Sequence, residues 1–125
     1  MGRTFGMGYS TDLPNGNSGI DVTKLAGGVL VLAMNPRRSN WGERYPLRLT
    51  LSTDNGRTWP THWDVEFEPG EYSYPAIIPW ADGKGVHLLY TWRRSKMRYF
   101  SASLKELQRR SETTDWTQFE DRRKK

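Results

Sequence analysis

Ser52-Thr53-Asp54-Asn55-Gly56-Arg57-Thr58-Trp59 is the stretch whose reading decides the fold. An aspartate here can accept backbone N–H groups across a tight turn. Gly56 supplies a positive φ without a Cβ penalty, and Trp59 offers a large apolar surface to bury against a sheet. The stretch has a partial twin. Gly2-Arg3-Thr4-Phe5 matches Gly56-Arg57-Thr58-Trp59 at an offset of 54, and Pro14-Asn15-Gly16 stands against Glu68-Pro69-Gly70 at the same offset. Gly28-Val29-Leu30-Val31-Leu32 then matches Gly85-Val86-His87-Leu88-Leu89 at an offset of 57, which a small insertion explains. Three blocks in the same order describe a repeat of about fifty residues, the size of one propeller blade.

Four strands can be read within the unit. Ile20–Leu25 and Val29–Met34 flank the turn Ala26-Gly27-Gly28. Leu47, Leu49 and Leu51 alternate with Arg48, Thr50 and Ser52, which predicts a half-buried third strand. Trp63, Val65 and Phe67 alternate with Asp64 and Glu66 in a fourth. Tyr72–Ile78, Val86–Trp92 and Met97–Leu104 repeat the pattern. Ser103 to Arg110 suits a short helix, and the polar remainder to Lys125 is expected to be mobile. The fold class is therefore all-β: a partial β-propeller of about two four-stranded antiparallel blades over residues 1–104, followed by a short helical or disordered tail over 105–125. Two open blades leave sheet faces uncovered. A fragment, a truncated product or one subunit of an assembly is expected, completed by further blades or by self-association.

Composition narrows the function. The 125 residues are 35% hydrophobic, lean for a self-sufficient core, yet six Trp, six Tyr and four Phe argue against disorder. There is no cysteine, so disulfides and thiolate metal sites are excluded. His62 and His87 lie far apart without metal-ligand spacing, and no metal or cofactor is expected. The longest apolar run, Val29–Met34, is too short to cross a membrane. The net charge of +5 and the isoelectric point near 9.7 suit nucleic acid, a membrane surface or an acidic substrate, and composition alone does not choose. Arg122-Arg123-Lys124-Lys125 reads as a solvated terminus, diluted by Glu120 and Asp121. Neither nucleic acid nor membrane is expected as a partner, and the compartment stays open.

The Ser52–Trp59 turn fits the Asp-box pattern, Ser-x-Asp-x-Gly-x-x-Trp, carried here by Ser52, Asp54, Gly56 and Trp59. Asn15-Gly16-Asn17-Ser18-Gly19-Ile20-Asp21, Asn35-Pro36, Arg44-Tyr45-Pro46-Leu47 and Gly70-Glu71-Tyr72-Ser73-Tyr74-Pro75-Ala76-Ile77-Ile78 follow the same likeness. Together they resemble the later blades of sialidases and related BNR-repeat proteins, over roughly residues 2–104. The resemblance implies that Arg44 is one arginine of a carboxylate-binding triad and that Tyr72, opening a strand with Ser73, is the nucleophile. Arg37 and Arg38 would add to the substrate-binding cluster, with Arg93 and Arg94 nearby. The Asp-box residues are structural and carry no catalysis.

Strand direction supports the pairing. In an antiparallel blade, the loop holding Arg44 and the start of the strand holding Tyr72 share one end, and the Asp54 turn lies at the other. The chemistry suits a sialic acid, whose carboxylate matches the planar fork of arginine. That carboxylate would repel an anionic nucleophile, which favours a neutral tyrosine over the usual pair of carboxylates. A phenol with a pKa near 10 still needs a base. The family's partner Glu, its acid/base Asp and two further arginines belong to earlier blades, and nothing here stands in for them. Glu71 adjoins Tyr72, but neighbours on a strand point to opposite faces. The expected function is that of a sialidase-like glycoside hydrolase acting on terminal sialic acid or a related acidic sugar, such as a sialoglycoconjugate, once completed by missing blades. The alternative is a non-catalytic propeller module that binds carbohydrate or protein.

Overall fold

The computed structural model describes residues 6–38 and 42–119. Gly2-Arg3-Thr4-Phe5 and the basic terminus Arg122–Lys125 lie outside the described residues. The chain is mostly β, with two antiparallel sheets and one short helix. Strands β1 (Asp21–Lys24), β2 (Leu30–Met34), β3 (Leu47–Ser52) and β4 (Thr61–Glu66) form the first sheet in chain order. Strands β5 (Tyr72–Pro79), β6 (Gly85–Trp92) and β7 (Lys96–Ser103) form the second. Helix α1 (Leu104–Arg110) follows, then β8 (Glu112–Thr113) and a 3-10 turn at Trp116–Phe119. Among the described residues no helix is long and apolar enough to cross a membrane, and no group of three metal-ligating side chains occurs.

The leucine alternation of β3 places Leu47, Leu49 and Leu51 on one face, in register with Val31 and Ala33 of β2. These residues join Tyr72, Ile77, Val86, Leu88, Tyr90 and Ala102 of the second sheet in one buried core. Trp63 meets Phe100 edge to face at 5.2 Å across it. Polar ties fix the two sheets together at the margins. Asp21 Oδ2 accepts from the Ile77 N–H at 2.9 Å. The Tyr90 hydroxyl donates to Glu66 Oε2 at 2.6 Å, and Arg98 Nη1 donates to the same oxygen at 2.9 Å. Burial, and then the Glu66 carboxylate, push the Tyr90 pKa upward, so its phenol stays a donor.

Two expectations are corrected. The third strand is buried on both faces instead of one, because Arg48, Thr50 and Ser52 are also covered. The cover includes the segment expected to be mobile. Strand β8 pairs with β4, making a fifth strand of the first sheet, and Trp116 and Phe119 lie over the Arg48 guanidinium at 5.6 and 5.4 Å. Arg48 in turn grips both carboxylate oxygens of Asp64, at 2.7 and 3.1 Å. Trp116 also packs beside Leu32, Met34 and Trp59, and its indole N–H donates to the Trp59 carbonyl at 2.8 Å. The second sheet keeps three strands, and its outer face carries exposed Ile78, Leu89, Met97 and Tyr99.

The helix forms where the sequence predicts it. The Ser103 side chain accepts from the Glu106 N–H at 3.1 Å as N-cap, and Arg109 and Arg110 occupy the last turn. Leu107 is its buried residue.

Candidate functional site

A groove of about 870 Å³ opens at one end of the two sheets. Its walls are the loop before β1 (Asn17, Ser18, Gly19), the β2–β3 loop (Gly42 to Tyr45), the approach to β5 (Pro69 to Glu71) and the strand starts at Ser73 and Tyr74. Thr91 and Arg94 close it from the β6–β7 hairpin. Antiparallel pairing collects these segments, since β1 and β5 begin at this end while β2 and β6 finish there. Backbone bonds tie the segments: the Tyr72 N–H donates to the Arg44 carbonyl at 2.9 Å, and the Arg93 N–H to the Glu71 carbonyl at 2.6 Å. Asn35, buried behind them, donates to the carbonyls of Pro46 and Tyr72.

Arg44 lines the groove and is half-buried. Its Nη1 donates to the carbonyls of Gly16 and Gly42, both at 3.2 Å. Nε and Nη2 have no hydrogen-bond partner among the described residues, which leaves donors for an oxyanion. Arg37 serves its own loop. It donates to the Tyr45 carbonyl at 2.8 Å, stacks over the Tyr45 ring at 4.8 Å and lies 3.7 Å from Glu43. Glu43, as hydrogen-bond partner and nearby charge, raises the Tyr45 pKa. Arg38 points elsewhere and donates to the Asp12 carbonyl at 2.9 Å. Arg94 pairs with Glu71 at 2.7 Å.

Tyr72 sits beside Arg44 in the backbone, but its side chain turns inward and is only 1% exposed. A Cβ on Gly70 would fall 2.7 Å from its hydroxyl oxygen, so glycine there lets the phenol lie against the chain. Among the described residues the partner of that hydroxyl is Arg93, whose Nη2 donates at 3.3 Å. The open phenol in the groove belongs to Tyr74. Sequence reading passed over Tyr74 because a plain strand alternation would make it an ordinary strand aromatic. The register between Ser73 and Ala76 in fact slips, and the bulge re-aims the side chain.

The Asp-box turn lies at the far end of β3. Ser52 Oγ donates to Asp54 Oδ1 at 2.8 Å and accepts from the Gly56 N–H at 2.9 Å. The Thr58 N–H and hydroxyl both donate to the Asp54 carboxylate. The Thr58 hydroxyl, then its N–H, then the Ser52 hydroxyl hold the Asp54 pKa down from 3.8 to about 2. Trp59 is buried, with its indole N–H on the Gly56 carbonyl at 3.1 Å.

No curated protein and no solved structure matches the chain. The family model described as the BNR repeat-like domain matches residues 1–88, well over half of the sequence, and the match runs through the loop before β1, the β2–β3 loop, the Asp-box turn and the approach to β5 into β6. Domains of this kind are found in sialidases and in other β-propeller proteins. By that match, and with the Asp-box turn formed as its residues require, the chain belongs to the BNR repeat-like family.

Proposed function

We propose that the chain supplies two later blades of a sialidase-like β-propeller glycosidase, and that the groove is its share of a site for sialic acid or a related acidic sugar. The observation that carries this reading is the Tyr72–Arg44 backbone bond, which fastens the strand start and the arginine loop together at the groove. Arg44 Nε and Nη2, without a partner among the described residues, are offered to a sugar carboxylate, and polar loop groups such as Asn17 and Ser18 suit sugar hydroxyls. Neighbouring blades would cover the exposed apolar face of the second sheet and bring the remaining acid, base and arginines. In the complete site Tyr72 would be the nucleophile once its phenol turns out of the core toward the groove, with Arg37 and Arg38 placing the arginine loop and Ser52, Asp54, Gly56 and Trp59 holding the turn.

A second reading, a module that binds the sugar without cutting it, is favoured by the burial of Tyr72 and by the engagement of its hydroxyl with Arg93. The two separate in one assay. The chain is incubated with a fluorogenic sialoside, alone and with separately expressed upstream blades of a BNR-repeat relative. Hydrolysis only in the mixture, abolished by Tyr72→Phe, is the expected result. Sialoside binding without hydrolysis in every mixture supports the second reading. Absence of binding defeats both.

A further inference from the structure

Backbone strain gathers around the groove. Among the described residues, five non-glycine residues have positive φ: Asn17 (64°), Asn55 (63°), Tyr74 (52°), Arg93 (50°) and Arg94 (57°). Asn17, Tyr74 and Arg94 line the groove, and Arg93 precedes Arg94 in the hairpin turn where Ser95 N–H donates to the Trp92 carbonyl. Asn55 is the exception in position, lying in the Asp-box turn, and asparagine, at Asn17 as at Asn55, tolerates the left-handed region well. Tyrosine and arginine do not, and strain of this kind persists at sites where it serves a purpose.

Tyr74 is the most informative of the five. The residue is 76% exposed, so little burial offsets the strained backbone. The bulge after Ser73 turns the side chain outward, and it packs beside Gly19 at ordinary van der Waals distance. A rigid aromatic face with a polar tip is therefore held at the wall of a groove that also holds Arg44 and Arg94, the latter paired with Glu71.

We propose that Tyr74 is the stacking platform of the groove, gripping the apolar C–H face of a pyranose while Arg44 takes the carboxylate. The inference rests on the acidic-sugar reading above and divides its specificity. Tyr74 recognises a sugar ring of any charge, and Arg44 recognises the acid.

The test measures Kd on the full chain by calorimetry, with methyl α-sialoside as the acidic probe and methyl β-galactoside as the neutral one. Tyr74→Ala is expected to weaken both about fivefold, whereas Arg44→Ala weakens the sialoside alone. Tyr74→Phe keeps the ring and retains most of the affinity. Tyr74→Gly loses affinity like the alanine variant yet raises Tm by about 3 °C, because glycine relieves the strain. Unchanged binding of both sugars by Tyr74→Ala, with sialoside binding still lost in Arg44→Ala, would overturn the platform and leave the acidic-sugar reading standing. Failure of the galactoside alone to bind the unaltered chain would overturn the platform, and failure of both sugars would defeat the acidic-sugar reading as well.

Discussion

Strand β3 joins two regions built on opposite terms, roughly 20 Å apart at about 3.3 Å per residue. At the Asp54 end, Ser52, Asp54, Gly56, Thr58 and Trp59 answer one another's hydrogen-bonding groups, and the left-handed positions are held by Asn55 and Gly56. At the groove end, tyrosine and arginine occupy left-handed backbone, and Arg44 Nε and Nη2 have no hydrogen-bond partner among the described residues. One end spends its polar groups on itself, and the other pairs Arg37 and Arg94 within the chain but leaves two nitrogens of Arg44 without a partner among the described residues. The difference teaches that a repeat motif and a binding site can share a strand while answering to separate demands: local satisfaction at one end, availability at the other.

Substitutions can break that division, and Trp59→Ala carries the largest expected effect. Removing a buried indole should destabilise the fold by about 3 kcal/mol in chemical denaturation, with sugar affinity per folded molecule unchanged. A weakened affinity in the folded fraction would join the two ends and break the comparison. Arg44→Ala should do the reverse. Loss of charge-assisted hydrogen bonds should weaken sialoside binding about thirtyfold, while Tm moves less than in any turn variant. A melting temperature that collapsed with Arg44 would make it a structural arginine.

Smaller effects sharpen the same line. Asp54→Ala removes the acceptor of three Ser52 and Thr58 donors and should lower Tm by about 4 °C at neutral pH. Because the folded pKa of Asp54 is held below its ordinary value, its contribution is complete above about pH 3.8 and fades as pH falls toward about 2. Melting curves of the two proteins should therefore converge over that interval. A gap that stayed constant across it would deny the carboxylate its role in the turn.

Local pattern made the strands legible. Leu47, Leu49 and Leu51 announced β3, Val86 and Leu88 announced β6, and Ser103 marked the helix start. Long-range pairing left no such trace. Glu112–Thr113 is too short to show alternation, and its strand exists because β4 offers an edge. Arg48 alternates like a solvent-facing residue, yet it is buried, paired with Asp64 and covered by the returning Trp116 and Phe119. At the site, chain direction sufficed to bring Arg44 and Tyr72 to one end, because loops on the same side of antiparallel strands must meet. Side-chain aim did not follow from direction. A one-residue bulge turned Tyr74 into the groove, and Gly70 let Tyr72 fold inward.

The most direct test of the division is an amide chemical-shift titration of the chain with methyl α-sialoside. Shifts should concentrate at Asn17, Arg44, Gly70, Tyr74 and Arg94 around the groove, while Asp54, Gly56 and Thr58 stay still. Shifts centred on the Asp54 turn, or none at the groove at saturating sugar, would contradict the account.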